Sequence, residues 1–265
     1  VDLNWNAPPS SPANGYDYEI VPAGNGQGNG VVANGNTAST TVTATGLNTD
    51  TQYDAYVRAD CGGGNGQSAY SGPVTFTTEC AALSVFPVTE DFESSNNVPN
   101  CFTATDVGGY EWQVDNGGTS SPNTGPDIDN TLGTAAGNYI YAEAFLPNVG
   151  DTAFLETQAV DLTALSSPKL EFFYHMYGAD IDELEVQVFN TSTSQWDSIF
   201  AVAGQQQTSE TDPFTQVVLD LSSNASAFTR IRFVATKLGG LAGDIALDDI
   251  TFQETVNIAL DSLSG

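Results

Sequence analysis

The chain has 265 residues, of which 33 are Asp or Glu and 5 are Lys or Arg, for a formal net charge of −28. That balance excludes a surface built to grip nucleic-acid phosphates or anionic membranes, and it favours divalent cations, a salty medium, or both. Hydrophobic residues make up 40%, so the chain is globular. Charged residues make up only 14%, which leaves Asn, Thr, Ser, Gln and Gly to form the polar surface of an extracellular β-protein.

In chain order, Val1 to Trp5 alternates apolar and polar residues until Pro8-Pro9 ends the pattern. Val1 opens inside a strand pattern with no leader before it, which reads as a mature or excised piece. Tyr16 to Ile20 alternates again, and Pro22 to Gly35 is a Gly/Asn-rich loop. Thr40 to Thr45, Tyr53 to Ala59 and Val74 to Thr78 are further strands. Short strands about ten residues apart predict a β-sandwich. This segment resembles a fibronectin type III domain in Trp5 with its following prolines, Gly46-Leu47-Asn48 leading to Tyr53, Tyr56 to Ala59, Ser71-Gly72-Pro73, and Phe76-Thr77-Thr78. The resemblance implies that the phenol of Tyr53 bonds back to nearby backbone. It also implies that the usual first strand would lie before Val1.

Three cysteines are too few for a disulfide scaffold and are not spaced for zinc. If Tyr53–Cys61 and Gly72–Cys80 form a hairpin, Cys61 and Cys80 fall on the order of 26 Å apart along the ladder, too far for a bond. That favours Cys80–Cys101 with Cys61 free. The alternative is three reduced thiols.

After an apolar linker from residue 81 to 88, strands are expected around Trp112 to Val114, Gly137 to Glu143, Ala153 to Val160, Leu170 to Gly178, Glu183 to Asn190, Trp196 to Ala201, Phe214 to Leu221, Phe228 to Ala235 and Ile245 to Phe252. No stretch sustains a helical period, and some ten strands with Gly/Asn/Ser loops predict a jelly roll. Leu170 to Gly178 holds the only histidine and the only methionine. His175 has no second histidine and no HExxH context, and its mid-strand place predicts a packed residue rather than a general base.

Residues 89–255 resemble a MAM domain. The pieces occur in family order: Asp91-Phe92-Glu93, Cys101, Trp112, Gly125-Pro126, Asp129-Asn130-Thr131, Gly137-Asn138-Tyr139, Phe173 to Gly178, Leu184-Glu185-Val186, Trp196 and Gly243 to Ile250. Asn130 stands where the family usually has histidine, and Glu90 where it has cysteine. The two domains are thus residues 1–80 and 89–255, with 256–265 a tail or linker. The fold class is all-β, an immunoglobulin-like sandwich followed by a jelly roll. The resemblance implies a structural Ca²⁺ held by Glu93, Asp129 and Asp248, with Asp91, Asp127 and Asp249 as second choices, since hard carboxylate oxygens suit that ion. Composition and neighbour resemble secreted multidomain proteins of marine Bacteroidetes.

The function expected is non-catalytic binding outside the cell, in a larger secreted protein. The partner is a polysaccharide or cell-surface glycan, or alternatively a protein or a second copy. No nucleic acid and no membrane insertion are expected. Paired acids could serve glycoside hydrolysis, but with so many carboxylates the signal has no specificity. Candidate sugar-contacting residues are Tyr110, Tyr141 and Phe145, whose rings are less constrained than the core-matching Trp112 and Trp196. Arg230 and Arg232, which alternation places on one face of one strand, complete the set.

Overall fold

The alternating runs are strands in the computed structural model, which describes residues 1–144 and 148–255. Phe145 and the tail 256–265 lie outside the described residues. The described chain has no α-helix and divides into two units, Val1–Ala81 and Ala82–Gly265.

In the first unit β1 (Asp2–Asn4) pairs with β4 (Thr41–Thr43) as a two-stranded sheet. A second sheet runs β3 (Ala33–Thr37), β2 (Tyr16–Pro22), β5 (Gln52–Ala59), β6 (Ser71–Thr77). Ile20, Ala44 and Tyr53 form its buried centre, with Leu3, Leu47 and Phe76 packed against them. The Tyr53 hydroxyl accepts the Asn48 N–H at 3.0 Å. β3 lies partly in the stretch that reads as loop. Its Asn and Gly have poor strand propensity, and pairing along Tyr16–Ile20 holds it in the sheet. The last hairpin is shorter than the expected Tyr53–Cys61 and Gly72–Cys80, since β5 stops at Ala59 and β6 at Thr77, with Tyr53 opposite Phe76. Cys80 and Cys101 are each disulfide-bonded, and Cys61 carries a free thiol.

Near the start of the second unit, the Leu83 N–H donates to the Ala159 carbonyl and the Leu83 carbonyl accepts from Asp161. Its strands are β7 (Val88–Glu90), β8 (Thr103–Val107), β9 (Glu111–Asn116), β10 (Asn138–Glu143), β11 (Thr152–Glu156), β12 (Pro168–His175), β13 (Ile181–Asn190), β14 (Gln195–Ala203), β15 (Thr215–Asp220), β16 (Ile231–Lys237) and β17 (Ile245–Glu254). One sheet runs β15-β12-β17-β10-β9, and the other runs β14-β13-β16-β11-β8. β7 joins the first sheet on β17, pairing Glu90 with Ile250 and Val88 with Phe252, while β10 pairs with the earlier part of β17. β17 therefore changes partner along one edge, and Asp248 and Asp249 sit at the changeover.

Period two explains the core. Leu170, Phe172 and Tyr174 of β12 face inward, as do Leu184, Val186 and Val188 of β13 and Ile231, Phe233 and Ala235 of β16. Phe172 meets Phe233 edge-on at 5.1 Å between ring centroids and Phe200 at 5.9 Å. The opposite face of the first sheet is covered too. All six residues of β10 are buried, and Tyr139, Tyr141, Phe214 and Ala246 form a second, smaller core there. His175 is fully buried against Phe214, at 5.4 Å. Burial pulls its pKa down to about 4, so the imidazole is neutral over the physiological range.

Phe172→Ala is expected to cost about 3–5 kcal/mol in the second unit, read by chemical denaturation. A loss below about 1 kcal/mol would show that Phe172 is not central to that core.

Candidate functional site

Two groups of side chains stand out, one at the β17 changeover and one on the outer face of the five-stranded sheet. The first begins at Glu93, three residues past β7, whose Oε1 accepts the Asn138 N–H at 2.8 Å. The Asn138 side chain donates to the Phe92 carbonyl at 3.0 Å, tying the entry of β10 to the end of β7. Asp129 accepts backbone N–H groups from Leu132 and Thr134, which closes its loop on itself. Gly137 passes so near that a Cβ there would collide with the Asp129 carboxylate. Asp248 accepts from the Asn130, Thr131 and Asp249 amides. Asp249 accepts from the Asn130 side-chain amide and the Thr131 hydroxyl, both at 2.7 Å. Phe92 and Asp249, with φ of 56° and 48°, lie in the left-handed region, which non-glycine residues adopt only where the surroundings hold them.

Glu93, Asp129 and Asp248 thus all engage the segment from Asp129 to Asn138. Asp248 is fully buried and Asp129 is 2% exposed. Burial, with the Asp249 charge adding to it, lifts the Asp248 pKa to about 7. Among the described residues these carboxylates enter none of the ion pairs. The donor chemistry, oxygen only and without a competing cation, suits a hard divalent ion. The three carboxylates do not, however, form a group with all oxygens within 4.8 Å of one another. Asp91 accepts the Glu93 N–H at 3.2 Å, whereas Asp127 is turned to Glu210 through its backbone.

The stretch just before that segment, from Gly117 to Pro126, roofs the second core. The Tyr139 hydroxyl donates to the Gly117 and Pro126 carbonyls, and Thr124 donates to the Tyr177 carbonyl. Glu143 accepts from Ser120, Ser121 and Tyr141 at 2.7–2.9 Å. Across the ladder lies Asp244, fully buried, with one carboxylate oxygen on the Ala144 N–H and the other without a hydrogen-bond partner. Burial lifts its pKa to about 7.

Burial, under this roof for Tyr141 and in the main core for Tyr110, corrects two sequence expectations. Tyr110 and Tyr141 are 0% and 1% exposed, and their hydroxyls donate to the Gly243 carbonyl and to Glu143. Neither ring can meet a ligand. Alternation shows which residues share a sheet face but not whether a distant loop covers it.

Arg230 and Arg232 belong to the second group. The Arg230 guanidinium lies 4.0 Å above the Phe189 ring and 3.7 Å from Glu156. Arg232 lies 4.3 Å above Trp196 and 4.9 Å above Phe154. Arg232 donates to the Gln187 side-chain carbonyl, and Gln187 donates to Glu185 at 2.7 Å. Phe189 meets Trp196 at 5.3 Å. On β11, β13 and β16 buried residues alternate with half-buried ones, so these side chains form a partly open platform above the core. Sequence reading assigned Trp196 to the core and passed over Phe154, Phe189 and Gln187. The available signal was an aromatic residue at alternate positions on strands whose other face was already apolar.

These features define an extracellular-type, all-β binding module. The chain belongs to the MAM family: residues 91–256 match the MAM domain, meprin/A5/mu, and residues 1–77 match the fibronectin type III domain. Such domains are non-catalytic binding and adhesion domains of secreted or cell-surface proteins, and the protein is extracellular. No helix among the described residues is long and apolar enough to cross a membrane. Neuropilin-1a of Danio rerio is 30% identical over 210 residues, 76% of this chain and 22% of that protein. MAM domain-containing glycosylphosphatidylinositol anchor protein 1 of Rattus norvegicus is 30% identical over 151 residues, 55% of this chain and 15% of that protein. The chain therefore spans between about a seventh and a fifth of the length of these relatives. Among solved structures, the K1 cleaved adhesin domain of Lys-gingipain from Porphyromonas gingivalis W83 aligns over 65% of this chain and all of its own, at 16% identity and a TM-score of 0.45.

Asp244→Asn tests the roof. A folded-state pKa near 7 against an ordinary 3.8 means that the fold holds a proton the unfolded chain has released. That contribution is complete below about pH 4 and is lost as pH rises through 7. The variant is expected to be more stable than the parent at pH 8, by at most about 4 kcal/mol, with the gap closing toward pH 4. Parallel stability curves from pH 4 to 8 would refute the assignment.

Proposed function

We propose that the second unit binds glycans through the platform of Trp196, Phe189, Phe154, Arg230, Arg232 and Gln187. The observation that carries this reading is the partly open aromatic–arginine surface on the five-stranded sheet. Flat rings can take the C–H faces of sugars, while guanidinium, amide and carboxylate groups around them can take hydroxyls. The Gln187 and Glu185 hydrogen bonds hold the Arg232 fork in place, so little ordering is required on binding.

Structural calcium belongs to the same proposal. Glu93, Asp129 and Asp248 would hold it, with Asp249, Asp91 and Asp127 nearby. The ion would neutralise buried carboxylates that no basic side chain reaches. A setting among bacterial secreted multidomain proteins is likewise proposed; the two relatives named above are vertebrate proteins.

On a polysaccharide panel the chain is expected to bind, and Trp196→Ala to lose at least tenfold in affinity with unchanged melting temperature. Silence on the whole panel, together with concentration-dependent self-association in the ultracentrifuge, would favour a homophilic adhesion module instead. Calcium at 100 times its Kd is expected to add about 2.7 kcal/mol of stability, reversed by chelator and absent in Asp248→Asn. An unchanged melting curve at millimolar calcium would remove the ion from the proposal.

A further inference from the structure

We infer that the platform takes a neutral polysaccharide laid across the strands, contacting about four sugar units. This rests on the glycan reading above and specifies the ligand class and the direction of the chain.

Charge selects the class. Arg230 and Arg232 are two of only five basic residues, and both have acidic neighbours on the same face. Glu156 lies 3.7 Å from Arg230, and Glu156 and Glu185 both act on Arg232. Glu183, half-buried two residues before Glu185, follows the same alternation. Three carboxylates against two guanidiniums leave the face net negative, on a molecule of charge −28. A sulfated or uronic chain would be repelled over the whole approach, and only short-range contacts at two already engaged guanidiniums would oppose that. A neutral sugar meets no such barrier and can use both the donors of Arg232 and the acceptors of Glu156 and Glu185.

Register sets the direction. Trp196 on β14 faces Phe189 on β13, and the Phe189 N–H donates to the Arg230 carbonyl just before β16. The neighbouring row runs Ser198, Gln187, Arg232, Glu156, Thr103 over β14, β13, β16, β11 and β8. Phe154 on β11 lies one row further, opposite Val234. Aromatic surface therefore stands on both sides of a hydrogen-bonding row that crosses all five strands. The Arg232 guanidinium touches the Trp196 and Phe154 rings alike, so these stacking surfaces are less than roughly 10 Å apart. Five strands at a spacing of about 4.8 Å span roughly 19 Å. A sugar unit in an extended chain advances by about one strand spacing, so the sheet offers about four subsites.

The test uses the whole chain with size ladders, one to six units, of neutral glucan, xylan and mannan oligosaccharides. Heparin and alginate serve as polyanionic comparisons. Titration by calorimetry and by intrinsic tryptophan fluorescence is expected to show that the chain binds at least one neutral series, with no measurable binding of its single sugar. Affinity should rise at least tenfold from two to four units and level off beyond. Phe154→Ala and Arg232→Lys are each expected to weaken the four-unit ligand at least fivefold at unchanged melting temperature. Preferential binding of heparin or alginate, equal affinity for one and four units, or indifference to both substitutions would overturn this inference while leaving the glycan reading standing. Absence of binding to every neutral and anionic sugar would overturn that reading itself.

Discussion

A carboxylate withdrawn from water must find hydrogen-bond donors or a cation, and this chain has almost no cationic side chains to offer. Asp151 has Lys237 at 3.8 Å, and most of the other buried acids are met by backbone amides and hydroxyls. Asp248 takes three amides, Asp129 two, and Glu143 three hydroxyl groups. Most of these donors belong to the stretch between β9 and β10. The scarcity of bases thereby fixes where that stretch lies, folded across the outer face of a sheet rather than standing free. The second small core of Tyr139, Tyr141 and Phe214 follows from it, because a covered face can be aromatic.

The five-stranded sheet shows the complementary case. Its outer face has no roof, and its few basic residues are concentrated there as Arg230 and Arg232. Guanidiniums stacked on rings keep their charge while covering apolar surface, so the face is ordered without being buried. The two sheets of one sandwich therefore have different outer faces for the same reason. On the first sheet, loop amides and hydroxyls cover the acids of the outer face. Where arginines and rings alternate, the surface stays open to a partner.

Much of this was legible in the sequence. Period two in Leu170 to Tyr174, Leu184 to Val188 and Ile231 to Ala235 identifies the inner faces, and the ordered family pieces identify the jelly roll. The packed state of His175 follows from its mid-strand place and the lack of partners. Exposure was not legible for Tyr141, because the loop that roofs it is held by hydrogen bonds to acids on other strands, nor for Tyr110, which packs into the main core from a position just before β9 that no strand period covers. Trp196 misled in the opposite sense, since a large ring at a family position reads as core when nothing tells which sheet face is uncovered. The three-residue β7 is too short for any period, β3 contains few of the residues that favour strands, and β8, exposed throughout, has no apolar alternation to announce it.

The sharing of one β17 edge between β7 and β10 has a mechanical consequence. Val88 and Phe252 are partners at one end of a three-residue antiparallel ladder, so the second unit is entered and left at neighbouring points. Tension between those points would load the hydrogen bonds in succession, as in opening a zipper, rather than all at once in shear. Each bond contributes only about 1 kcal/mol, but upstream of β7 Leu83 is held to Ala159 and Asp161, so a pull along the chain loads those bonds before it reaches β7. Past β7 the peel would reach Glu93 and its hold on Asn138. A cation bound among those carboxylates would then act as a mechanical stop, placed where the peel would otherwise pass from β7 into the sheet.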